Sequence, residues 1–179
     1  MTELYLSLIG SRPWKPRTHL LSALQPSLLS IQYYSNWKGT IRSDDFVIQP
    51  IPKGEPYLMQ NASELLERCT KHGIFRWKAV AILDDVISEV ISTPHTLLVA
   101  YDIPKTFNIL FREFLLQKKP VVKFAEFIPF DIKPHCPRGM RAQFRHLVGE
   151  NDANYSNLHI IRTLFEIFRN EPKEKKSAK

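Results

Sequence analysis

The sequence predicts an α+β single domain, with a mixed or mainly antiparallel sheet covered by three to four helices. Three observations lead there. Strand-like and helix-like apolar periods alternate along 179 residues, a length that fits one domain with its own core. Aliphatic and aromatic residues make up 44% of the chain, which excludes wholesale disorder. Prolines crowd residues 12–56, so the first third reads as turn-rich while the remainder keeps a clean periodicity.

Residues 3–9 read as a strand with Leu4, Leu6 and Leu8 on one face, closed by Gly10, Pro13 and Pro16. A short helix over 20–25 and a strand pair over 29–34 and 46–51 are expected in the irregular part. Asn61 and Glu64 form a capping-box-like pair before a helix over 62–72, which Gly73 stops. Phe75, Ala79, Ile82, Leu83, Val86, Ile87 and Val90 then recur at helical spacing over 74–91. Residues 96–103 are nearly all apolar and predict a central strand, after which Pro104 opens a helix over 105–117. Lys118 and Lys119 complement the C-terminal end of that helix, and Pro120 ends it before a strand over 121–132. A last amphipathic helix is expected over 154–168. The chain thus divides into a basic, aromatic, β-containing part (1–60), an α/β core (61–169) and a disordered lysine-rich tail (170–179).

A net charge of +7 and a pI near 9.5 favour a polyanionic partner. No carboxylate falls between Glu3 and Asp44, where Arg12, Lys15, Arg17, Lys38 and Arg42 interleave with Trp14, Tyr33, Tyr34 and Trp37. Cations neutralise phosphates and exposed rings stack bases, so this zone predicts contact with RNA or a ribonucleoprotein. A second basic zone holds Lys133, Arg138, Arg141 and Arg145, the last three spaced to share one side of a helical turn with no carboxylate close in sequence. The alternative is a structural or matrix-like adaptor, viral or cellular, that sets the same surface against an anionic membrane and its proline-rich third against proteins. No run approaches the roughly 18 apolar residues of a membrane-spanning helix. With two cysteines and no secretory leader, reduced thiols in a cytoplasmic or nuclear setting are expected.

Cys69 and His72 have C-x-x-H spacing, and His135 with Cys136 would complete a zinc set. Adjacent ligands diverge, so no metal or other cofactor is expected. Asp102 closes the apolar run LLVAYDIP and Asp131 ends a second strand; carboxylates at strand ends suit a metal-dependent nuclease. Tyr101, Asp102, Ile103 and Pro104, followed by a helix and an aromatic strand, resemble the ferredoxin-like CRISPR adaptation endoribonucleases. That resemblance implies a ferredoxin-like arrangement around Asp102. With six glycines and no phosphate-cradling or nucleophile-elbow motif, the balance of these readings is a non-catalytic binding protein for an acidic partner.

Overall fold

A computed structural model describes residues 2–22, 25–50 and 62–170. Its centre is one mixed sheet of five strands in the order β3-β2-β1-β4-β5. The strands are β1 (Glu3–Gly10), β2 (Leu28–Trp37), β3 (Thr40–Val47), β4 (Thr96–Ala100) and β5 (Phe127–Asp131). The helices described are α1 (Ala62–His72), α2 (Arg76–Ile91), α3 (Ile103–Leu116), α4 (Met140–Val148) and α5 (Asn157–Asn170). β1 pairs antiparallel with β2 on one side and parallel with β4 on the other. β4 and β5 are also parallel, which brings the C-terminal ends of β1, β4 and β5 to one edge of the sheet.

Alternation along the strands separates two cores. Leu4 and Leu6 of β1, Ile31 and Tyr33 of β2 and Leu98 and Ala100 of β4 pack under α2 and α3. Tyr5 and Val99 face the other way, against Ile160, Ile161, Leu164 and Phe165 of α5 and Phe144 of α4. α2 buries Ala79, Leu83, Val86, Ile87 and Val90 of the stripe its spacing predicts, and also Val80; Ile82 is half-buried, and Phe75 precedes the helix and is exposed. Between α2, α3 and β2, Glu113 accepts from Arg76 Nη1 at 2.7 Å and from the Leu28 backbone N–H at 3.0 Å. Gly73 is required where α1 ends, because a Cβ there would lie 2.2 Å from the Cys69 carbonyl and 2.6 Å from Gln49 N.

Several expected elements are displaced. The second strand of the early pair is β3, which ends at Val47, while residue 51 of the expected strand over 46–51 lies outside the described residues; β3 is joined to β2 by a tight turn with Lys38 and Gly39 both at positive φ (49° and 86°). That pair of left-handed residues matches the twist of a hairpin. β3 is a largely exposed edge strand carrying Arg42, Asp44 and Asp45, so it lacks the apolar alternation that marks a half-buried strand. Residues 20–22 form turns, not helix, and residues 23–24 of that expected helix lie outside the described residues. The strand expected over 121–132 is a 3-10 turn (Val122–Glu126) followed by β5, an edge position where Pro129 is tolerated despite its missing N–H. The last helix begins at Asn157, with a 3-10 turn over Asp152–Asn154 before it. Asn61 and the tail over 171–179 lie outside the described residues. The element order begins with three successive strands and does not follow the β-α-β-β-α-β order of a ferredoxin-like fold, which corrects the resemblance drawn from Tyr101 to Pro104.

Candidate functional site

In an open α/β sheet the ligand crevice lies at the C-terminal strand ends, where neighbouring connections leave in opposite directions. Here that point falls between β1 and β4: the chain leaves β1 toward β2 on one side, whereas β4 leads to β5 on the other. A cavity of about 120 Å³ opens there, and a hollow of about 380 Å³ adjoins it; both are bordered by Leu8, Lys105 and Asn157. Ser7 comes from β1, Lys105 and Thr106 from the first turn of α3, Met140 from the start of α4 and Asn157 from the start of α5. Leu6, Ile109 and Ile161 supply apolar wall.

The polar groups in this crevice are neutral or cationic. Ser7 and Thr106 are only 7% and 5% exposed, and neither hydroxyl has a hydrogen-bond partner among the described residues. Asn157 Oδ1 accepts from Arg141 Nη2 at 2.8 Å, which leaves its NH₂ group as the remaining donor. Lys105 makes no ion pair among the described residues. Neither α4 nor α5 carries an acidic residue in its first turn, so the positive ends of their dipoles are not offset there, whereas Asp102 caps α3. No carboxylate lines the cavity.

The carboxylates singled out in the sequence stand just outside it. Asp102, in a left-handed conformation at φ 65°, accepts from the Lys105 backbone N–H at 3.2 Å and from Lys133 Nζ at 2.6 Å. Asp131 Oδ1 accepts from the backbone N–H groups of Asp102 and Lys133, each at 2.9 Å. The two strand ends do meet, but through hydrogen bonds that tie β4, α3 and β5 together. The hydrogen bond to Asp102 holds the Lys133 ammonium above its ordinary range. Among the described residues no three of His, Cys, Asp and Glu converge to hold a metal ion. Cys69 is buried beside Leu29 and Val47, whereas Cys136 lies in the core under α4 and α5, so the Cys69, His72, His135, Cys136 set is divided between two clusters. His135 stacks against Phe130 and Phe168.

The basic zones are redistributed as well. Arg12 borders the hollow beside Lys105, and the exposed Lys15 and Arg17 follow on the same loop, with Trp14 half-buried between them. Trp37, Lys38 and Arg42 sit at the opposite end of the sheet. There Trp37 Nε1 donates to Thr93, Lys38 lies 5.0 Å from the Trp37 ring centroid, and Arg42 pairs with Glu89 at 2.9 Å. The carboxylate-free stretch is therefore two surfaces and not one. Arg138, exposed, precedes α4; Arg141 and Arg145 do have a carboxylate, since both pair with Asp152 at 3.1 Å. That corrects the expectation of guanidinium groups with no nearby acid.

No family model matches the sequence, and neither does any curated protein. The three-dimensional likeness is informative. In fold, the chain resembles exonuclease I. The inhibitor complex of exonuclease I superposes with a TM-score of 0.64 at 12% identity over 95% of this chain and 41% of that one. A product-bound form gives 0.62 at 11% identity over 94% and 43%. The zinc-bound complex of the E. coli enzyme with single-stranded DNA gives 0.60 at 14% identity over 93% and 39%. The chain thus spans about two-fifths of the length of these proteins. The expectation of a non-catalytic binding protein is corrected by this likeness, because the fold is one it shares with the solved structures of exonuclease I.

Sequence reasoning missed Ser7, Lys105, Thr106 and Asn157. One signal was present: a lysine in the first turn of a helix opposes the dipole, so Lys105 has no local structural rationale.

Proposed function

We propose that this chain is a nucleic-acid-handling domain of the nuclease class, and that it engages a single strand at the crevice between β1 and β4. The observation that carries the reading is the crevice itself: Lys105, the hydroxyls of Ser7 and Thr106 and the first turns of three helices meet at the strand ends of a sheet built like that of exonuclease I. Helix N-terminal turns and a lysine ammonium suit the oxygens of a phosphodiester. The neighbouring Arg12 loop, with Lys15 and Arg17, extends the positive surface away from the hollow. Exonuclease I structures in complex with dA oligonucleotides support a single-stranded ligand as the class to test. RNA offers the same phosphate chemistry, and a cytoplasmic or nuclear setting belongs to the same proposal.

The test is fluorescence anisotropy with labelled single-stranded DNA, the matching RNA and a duplex, across salt concentrations. The same strands are incubated with the protein and magnesium or manganese and run on a sequencing gel for shortened products. Binding should favour single strands and weaken with salt, with a logarithmic slope of about 0.7 per phosphate contact. A protein that neither binds nor shortens a single strand at low salt overturns the proposal.

A further inference from the structure

The likeness to a zinc-bound exonuclease I complex raises the question of a metal, and the crevice answers it with the wrong donors. Magnesium and calcium take oxygen ligands, chiefly carboxylates, and zinc takes thiolate, imidazole or carboxylate. The polar residues of the walls are Ser7, Tyr101, Thr106 and Asn157, all neutral, and Lys105, a cation. The nearest of the sequence-selected carboxylates, Asp102 and Asp131, are engaged by Lys133 and by backbone N–H groups. A dication would meet an ammonium and a dearth of negative charge, so the donor set does not fit it.

The same groups fit an anion. Ser7 and Thr106 are both more than nine-tenths buried, yet their hydroxyls border the cavity unpartnered. Neither oxygen is among the buried atoms left without a partner, so both open to the cavity and are free to donate to a ligand there. Asn157 is oriented by Arg141, which takes its carbonyl oxygen and leaves the amide N–H groups to donate. Lys105 brings a full positive charge that no carboxylate among the described residues neutralises.

We infer that this crevice holds a backbone phosphate of a single strand without a divalent ion, Lys105 supplying the positive charge and Ser7, Thr106 and Asn157 donating hydrogen bonds to the phosphate oxygens. This rests on the proposed engagement of a single strand. The phosphate is held as an intact diester, and no bond is made or broken in holding it.

The test measures binding of a labelled oligothymidylate to the full chain in EDTA, in excess magnesium and in excess zinc, for the native protein and for Lys105→Ala and Thr106→Val. Circular dichroism and thermal melting check that each variant folds. Affinity should be the same in EDTA as in magnesium at matched ionic strength, and zinc should not tighten it. Lys105→Ala should weaken binding on the order of tenfold, the worth of one charge-assisted hydrogen bond, and should lower the salt slope by about 0.7. Thr106→Val, which keeps the shape and removes the hydroxyl, should weaken binding without changing the slope. Binding that EDTA abolishes, or a folded Lys105→Ala protein with native affinity and native slope, overturns the inference while leaving single-strand engagement standing. Absence of binding under every condition defeats the proposed function itself, and this inference with it.

Discussion

Arg141 donates to Asn157 Oδ1 at 2.8 Å, so a residue of α4 sets the orientation of the amide that borders the crevice. The same guanidinium donates to the Asp152 carbonyl at 2.8 Å and carboxylate at 3.1 Å, and Arg145 binds that carboxylate from the next helical turn. The arginines read from sequence as a contact surface thus hold the start of α5 in place.

Reversing both charges tests this directly. An unpaired, exposed arginine pair would tolerate Arg141→Glu with Arg145→Glu; here the double variant sets three carboxylates against one another around Asp152. Its melting temperature should fall clearly below that of the native protein, and Asp152→Asn in the same background should recover part of the loss. An unchanged melting temperature would contradict the network.

Acid should loosen the fold through two carboxylates. For Asp152 the Arg141 hydrogen bond holds the carboxyl below its ordinary range, against opposing desolvation and with help from Arg145. For Asp84 desolvation again opposes ionisation, but the ammonium groups of Lys123 and Lys119 outweigh it and lower the pKa. A carboxyl lowered in the native state stabilises fully above its unfolded value of about 3.9, and that contribution drains away as pH falls through the lowered native value. Urea midpoints should hold steady from pH 7 to pH 5 and fall below about pH 4. Asp84→Asn should flatten part of that decline.

Removing Glu113 should be costly. Its carboxylate, 2% exposed, is the shared acceptor for Arg76 and for the first N–H of β2. Glu113→Ala leaves a buried guanidinium without its counter-charge and should lower the unfolding free energy by about 3 to 5 kcal/mol. Glu113→Gln keeps an acceptor and should cost less. Equilibrium urea denaturation distinguishes the two.

Both thiols should be inert in the folded protein. Burial pushes the Cys136 thiol up to about 11, with Asp131 adding to the shift, and burial likewise raises Cys69. The thiolate is the reactive form. Iodoacetamide at neutral pH should leave both unmodified in the native protein and label both after denaturation, as read by intact mass. Rapid native labelling of Cys136 would show that the α4–α5 core opens.

The sequence by itself determined the elements whose burial repeats with a period: the alternating face of β1, the limits of α1, most of the apolar stripe of α2 and the amphipathic character of α5. Each is a local record of which side meets a core, and burial of apolar area leaves that record whatever lies opposite. It failed at β3 and β5, edge strands whose charges and proline reflect solvent rather than a core. Only the tertiary structure decided the crevice, which joins Ser7, Lys105, Thr106 and Asn157 from three stretches far apart in the chain. It also decided that Arg141 and Arg145 share Asp152, and that Trp37 and Arg42 stand at the far end of the sheet from Arg12. Those relationships follow from the order and direction of the strands. An antiparallel hairpin carries Trp37 away from the end of β1, and a parallel partner brings the start of α3 back to it. Strand order is a property of long-range pairing, and no local period in the chain encodes it.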